Sequence, residues 1–215
     1  SLDTVGVLAR NVGDAAFFIS TLSRLPLSPL PAAAPARLRL GICRTQHWGR
    51  ASHDARTTLE RAASLLEAAG AKLSDVGLPA VCKGLTEAQM HIMGFEAALA
   101  FAPESQAHPT GFSNAFAQFI AAGSAIDGTT YFAAQELAAA ARCALTGVFG
   151  DVDILLAPST EGEAPAGLEA TGDPIFNRMW TLLGNPCVHV PLGVGTGGMP
   201  IGVTLIGPRW GDAQT

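Results

Sequence analysis

Leu38-Arg39-Leu40-Gly41-Ile42-Cys43, then a run from Ser52 to Ala69 stopped by Gly70, then Lys72-Leu73-Ser74-Asp75-Val76: this stretch reads as strand, helix, glycine, strand. The first segment alternates apolar residues with small or polar ones, as a strand does. Ser52 opens the helix, and Leu59, Ala62, Ala63, Leu66 and Ala69 recur on one face of it. Gly70 closes it, since glycine accepts the left-handed backbone at a helix end. Gly77-Leu78-Pro79 ends the second strand. A βαβ unit predicts a parallel pair joined by a right-handed crossover, and so an α/β fold.

On the N-terminal side, Ser1 to Arg10 reads as a loop and extended stretch. A helix then starts behind Asn11, with Val12, Ala15, Ala16, Ile19 and Leu22 at helical spacing. Asn11 is its expected N-cap, and Asp14 suits the positive helix start. Pro26, Pro29, Pro31 and Pro35 then predict a linker over about residues 25–36, which cannot continue a helix.

On the C-terminal side, Thr86 to Phe101 reads as a helix with Pro103 behind its end, and Phe112 to Ala122 as another. Thr129 to Phe149 is a long Ala-rich helix. Asp151-Val152-Asp153-Ile154-Leu155-Leu156-Ala157-Pro158 predicts a short strand buried on both faces. A loop, Ser159 to Asp173, and a short helix or turn, Asn177 to Gly184, follow. Cys187 to Gly193 and Met199 to Pro208 are two strands joined by Gly195-Thr196-Gly197-Gly198, which makes a hairpin.

The chain has 215 residues, 48% of them hydrophobic and 14% charged, with mean hydropathy +0.30. One globular core is expected. Such low charge also fits a piece of a larger domain whose surface is meant to be covered. The net charge of -5 and the absence of a Lys/Arg run leave a phosphate-backbone partner little to bind. Ser1-Leu2-Asp3-Thr4 has neither the basic nor the apolar region of a signal peptide. With no initiator Met, the expectation is that the chain begins partway through a longer protein. No apolar run is long enough to span a bilayer. Cys43, Cys82, Cys143 and Cys187 lack paired spacing, so no zinc site is implied and buried thiols in a reducing cytoplasm are expected.

Four stretches taken in order resemble the amidase-signature hydrolases. Ser1 to Arg10 with Gly13-Asp14-Ala15-Ala16 is similar to the segment behind that family's Gly/Ser-rich signature. Leu38 to Pro79 is similar to its βαβ unit. Tyr131, Ala134 and Arg142 followed by Asp151 to Ser159 are similar to its helix and core strand. Gly184-Asn185-Pro186-Cys187-Val188-His189-Val190-Pro191-Leu192-Gly193 with Gly198 to Pro208 is similar to its C-terminal hairpin, the most specific of the four. The resemblance implies a partial amidase-signature fold, a mixed sheet flanked by helices, with residues 1–215 the C-terminal portion of one domain.

The resemblance also implies amide hydrolysis by a Ser–Ser–Lys triad, in which a base activates the serine and backbone N–H groups hold the oxyanion. The signature, both serines and the lysine would lie before Ser1. Lys72 and Lys83, the lysines of this chain, precede no Gly/Ser-rich loop. The expectation is therefore no catalytic residue, no cofactor and no metal here, and a chain that is inactive alone. The family's loop between core strand and hairpin shapes the substrate pocket, which makes Asp173, Arg178 and Trp180 the candidate substrate-binding residues. The implied partner is a small-molecule amide in the full-length protein, with no nucleic acid in direct contact and no membrane. Self-association through an exposed sheet, or a homo-oligomer, is expected. Two other readings are a glutamine amidotransferase A-like protein acting on charged tRNA and a non-catalytic α/β module.

The remaining polar clusters have structural readings. His47-Trp48-Gly49-Arg50 with His53-Asp54 reads as a solvated loop between strand and helix, and His189 as a hydrogen-bonded or outward-facing strand residue. Glu161, Glu163 and Glu169 read as a solvated acidic loop. Gly195 to Gly198 opens no helix, so it is a hairpin turn and not a phosphate loop.

Overall fold

The computed structural model describes residues 1–24 and 34–215. Helix α1 is Val12–Ser23, and its N-cap is Asn11, whose Oδ1 accepts from the Asp14 N–H at 2.8 Å. The predicted linker over 25–36 lies mostly outside the described residues; its end, Pro35–Arg37, is a 3-10 turn. Strand β1 (Arg39–Ile42), helix α2 (His53–Ala68) and strand β2 (Lys72–Asp75) follow. The Ser52 Oγ caps α2 by accepting from the Ala55 N–H at 3.1 Å. Gly70 sits just past the helix at φ +97°, a backbone that L side chains resist.

Helices α3 (Leu85–Ala100), α4 (Ala102–Ala107), α5 (Asn114–Ser124) and α6 (Gly128–Asp151) come next. Pro103 stands behind the end of α3, as expected, and also lies in the first turn of the short α4, which the pattern did not mark. A proline there loses no helical hydrogen bond, because first-turn N–H groups have no intrahelical partner. Strand β3 (Ile154–Pro158), helix α7 (Arg178–Leu183) and the hairpin β4 (Cys187–Val194) and β5 (Pro200–Ile206) complete the chain.

The sheet order is β2-β1-β3-β5-β4. Strand β1 pairs in parallel with β2 and β3, Leu40 lying between Leu73 and Ile154. Strands β3 and β5 are antiparallel, Ala157 opposite Thr204, and so are β4 and β5, His189 opposite Thr204. The sheet is therefore mixed, with a parallel half from the βαβ unit and an antiparallel half from the hairpin.

Helix α2 covers one face, where Leu59 and Ala62 meet Leu156 and Val203. Helices α3, α6 and α7 cover the other, where Leu85, Ile92, Ala138 and Leu145 meet Leu155, Trp180 and Ile206. All of β3 is buried, and burying a leucine of this kind contributes about 1.5–3 kcal/mol. Helices α3 and α5 cross with backbones touching: a Cβ on Gly123 would lie 2.1 Å from the Gly94 carbonyl oxygen.

Helix α1 buries no residue, and Phe17 and Phe18 are 67% and 53% exposed. All four cysteines are free; Cys43 and Cys82 are buried as expected, but Cys143 and Cys187 are exposed. Burial pushes the Cys43 thiol up to about 11. Among the described residues, no helix is long and apolar enough to cross a membrane.

Candidate functional site

Strands β1, β2 and β3 run in parallel, so the loops leaving their carboxyl ends gather at one edge of the sheet. That edge is where open α/β sheets place ligands. The loop after β1 carries His47 and Arg50. The loop after β3 carries Glu161 and Asp173 and runs into α7, which carries Arg178.

Asp173 joins these loops. Its Oδ2 lies 3.2 Å from Arg50 Nη1 and its Oδ1 lies 3.8 Å from Arg178 Nη2. Arg50 also pairs with Glu161. Arg178 Nη1 donates to Gln89 Oε1 on α3 at 3.0 Å, which ties the loop to the helical layer. The side chains of Asp173 and Arg178 keep 34% and 19% of their exposure, so both reach the surface from anchored positions.

His47 forms one flank. Its Nε2 lies 2.8 Å from Thr86 Oγ1, and its ring meets Phe176 edge-on at 6.4 Å. Thr45 accepts the His47 N–H on its Oγ1 at 3.1 Å and holds a left-handed backbone at φ 58°, unusual for a β-branched residue. Burial lowers the His47 pKa first, the Arg50 charge lowers it further, and Asp173 opposes both. The guanidiniums of Arg44 and Arg56 lie over the Trp48 ring, at 5.6 and 5.2 Å from its centre. The loop expected to be merely solvated is thus knitted to three neighbouring elements.

The structure places two of the predicted site residues together and the third apart. Asp173 and Arg178 share an ion pair at the surface. Trp180 is 2% exposed in the core under α3 and α6, and its Nε1 has no hydrogen-bond partner among the described residues.

A second polar group spans β3, β5 and β4. Ser159 Oγ lies 2.7 Å from both His189 Nδ1 and Thr204 Oγ1. Thr204 is 4% exposed, and Ser159 is its hydrogen-bond partner. With Thr204 donating to Ser159, Ser159 donates in turn to His189 Nδ1, the arrangement that gives both hydroxyl protons an acceptor within this group. Burial lowers the His189 pKa and so favours the neutral ring, which in this arrangement carries its proton on Nε2. The serine, 6% exposed, orients the imidazole and is not presented for attack. Gly202 leaves room for it: a Cβ there would lie 2.7 Å from His189 Cε1 and 2.2 Å from the Val190 carbonyl oxygen.

Two carboxylates expected to be solvated hold the hairpin turn instead. Glu163 accepts the N–H groups of Gly197 and Met199, each at 2.7 Å. Asp54 Oδ2 accepts the N–H and hydroxyl of Thr196, each at 2.8 Å. The turn's donors are occupied, so it has no open nest for a phosphate. Nothing in the local sequence marks these contacts, which join positions far apart in the chain.

Asp173 and Arg178 supply an acceptor and a donor side by side at the loop edge. Asp173 can accept an amide N–H and Arg178 can donate to a carbonyl oxygen. Among the described residues neither Lys72 nor Lys83 hydrogen-bonds a serine, and both are exposed.

The Amidase family model matches residues 1–215. The A subunit of the mitochondrial glutamyl-tRNA(Gln) amidotransferase of Mus musculus is 28% identical over 263 residues, covering 100% of this chain and 50% of that protein. The 2-amino-5-chloromuconic acid deaminase of Comamonas testosteroni is 24% identical, covering 100% and 49%. A solved structure described as an amidase superposes with TM-score 0.85 at 27% identity, over 97% of this chain and 50% of that one. The chain spans about half the length of the curated relatives it matches.

Proposed function

The chain belongs to the Amidase family, and on that premise we propose that it is the scaffold half of an amidase-signature hydrolase that cleaves a carboxamide C–N bond. The Ser–Ser–Lys triad is carried by sequence preceding Ser1. The observation that carries this reading is a family match along all 215 residues that reaches only half the length of the relatives. The sheet and hairpin contributed by this chain would position the pocket, and the loop with Asp173 and Arg178 would form one wall over the Trp180 core.

In this reading Asp173 accepts the substrate amide N–H and Arg178 donates to a carbonyl or carboxylate oxygen. These contacts orient the amide toward the serine, the part of catalysis that positioning supplies. The substrate is a small-molecule amide and the setting is cytoplasmic. No nucleic acid or membrane is contacted by this half. Its exposed β4 edge and apolar α1 favour self-association or a homo-oligomer when the other half does not cover them.

A glutamine amidotransferase A-like role is the alternative, favoured by relatives that are A subunits of glutamyl-tRNA(Gln) amidotransferases. The test uses the full-length enzyme and a panel of simple amides and glutamine. Arg178→Ala should raise KM at least tenfold with a smaller change in kcat, the mark of lost binding. Unchanged kinetics in both Arg178→Ala and Asp173→Asn would remove these residues from the pocket.

A further inference from the structure

A cavity of about 140 Å³ lies away from the loop edge, between α6 and the segment that follows β5. Arg142, Thr146, Phe149, Leu183, Asn185 and Arg209 line it. The two guanidiniums share this cavity, and among the described residues neither is within ion-pair distance of a carboxylate. Two cations lining one cavity with no counter-ion repel each other; Arg142 is half-buried and Arg209 reaches the surface.

The other polar contacts leave this charge unanswered. Arg142 Nη2 donates to the Leu182 carbonyl at 2.6 Å and so closes the last turn of α7. Its Nε is buried and has no partner. A guanidinium holds five N–H donors in a planar fork, so most of this fork is unclaimed. Arg209 stacks on the Trp210 ring at 4.9 Å, which holds its charge in place without neutralising it. Asn185 Nδ2 is committed to the Gly207 carbonyl at 2.8 Å and the Thr146 hydroxyl to the Arg142 carbonyl at 3.3 Å. Burial and then the charge of Arg209 both lower the Arg142 pKa, as expected where positive potential is uncompensated.

We propose that the cavity between Arg142 and Arg209 binds a small doubly charged oxyanion of the inorganic phosphate type. The oxygens of such an anion accept the free N–H donors of both guanidiniums in charge-assisted hydrogen bonds. Its two charges balance the two cations, which a single carboxylate cannot do. The site lies apart from the Asp173–Arg178 wall and does not depend on amide chemistry.

The test is titration of the purified chain with inorganic phosphate at pH 7.5 and constant ionic strength set with sodium chloride, read by calorimetry and thermal midpoint. Saturable binding and a rising midpoint are expected, with acetate weaker. Arg209→Gln should weaken phosphate binding by about tenfold or more, the scale of one lost charge-assisted contact, with an unchanged circular dichroism spectrum. Arg142 closes α7 and is left in place; the ¹⁵N shift of its Nε should move on phosphate addition in the parent chain. The proposal is overturned by no binding beyond chloride, by equal binding in Arg209→Gln, by acetate binding as tightly as phosphate, or by an unmoved Arg142 Nε signal.

Discussion

Gly123→Ala should loosen the helical layer, and the cost can be worked from one contact. The added Cβ would lie 2.1 Å from the Gly94 carbonyl oxygen, 2.6 Å from its carbon and 3.1 Å from its Cα. All three atoms are backbone of α3, so no side chain can swing aside. Restoring ordinary separations of about 3.5 Å requires the helices to part locally by about 1 Å or more. Overpacking of this kind costs about 1–3 kcal/mol, and a clash with rigid backbone belongs at the upper end. Alanine returns up to about 1 kcal/mol of helix propensity, which leaves about 2 kcal/mol of net destabilisation. For a chain of this size that lowers Tm by about 4–8 °C. Gly147→Ala is the matched control. It lies inside α6 with nothing within 4 Å of the added carbon, so only propensity acts and Tm should rise by about 2–4 °C. The measurement is calorimetric or circular-dichroism melting of both variants. A Gly123→Ala chain as stable as the parent would refute the close crossing of α3 and α5.

Other substitutions probe the sheet and its turn. Asp153 is held below its ordinary 3.8 first by a hydrogen bond from the Arg39 guanidinium and then by one from the Arg39 backbone N–H. A depressed carboxylate stabilises above its unfolded pKa and loses that contribution as pH falls through the folded one. Asp153→Asn should therefore be less stable than the parent at pH 7, with the gap closing below pH 3.8, as followed by urea denaturation. Glu163→Ala removes the acceptor from the Gly197 and Met199 N–H groups; it should cost about 1 kcal/mol and speed hydrogen exchange at those two amides above all others. Nitrogen NMR should show His189 protonated on Nε2 and neutral at pH 7, and Ser159→Ala should abolish the tautomer preference. A ring protonated on Nδ1 in the parent would reverse the direction of the Thr204–Ser159–His189 hydrogen bonds.

Local pattern was enough wherever one segment determines its own structure. The alternation from Leu38 to Cys43, the Ser52 cap and Gly70 placed the βαβ unit, and Asn11 placed the start of α1. The apolar run at Ile154 to Pro158 marked the buried strand, and the glycine-rich turn marked the hairpin. What remained hidden depends on distant residues meeting. Gly94 and Gly123 carry no mark of a helix crossing. Glu163 looks like any loop carboxylate until the hairpin folds onto it, and Asp54 serves as a first-turn acid of α2 while also holding Thr196. Ser159 follows β3 while His189 and Thr204 lie on β4 and β5, and Arg142 and Arg209 meet only when α6 packs beside the segment after β5. For the candidate wall, the family resemblance pointed to Asp173, Arg178 and Trp180 but not to Arg50 and Gln89, the residues that hold the first two.

The most direct test of the proposed scaffold-half reading is amide turnover by the purified 215-residue chain, measured beside a longer polypeptide that carries the proposed Gly/Ser-rich signature. No hydrolysis is expected from the chain alone, and turnover is expected from the longer protein, disappearing when its Gly/Ser-rich serine or its lysine is replaced. Hydrolysis by the isolated chain that is lost on replacing Lys72, Lys83 or Ser159 would contradict this, because the reacting groups would then lie within these residues.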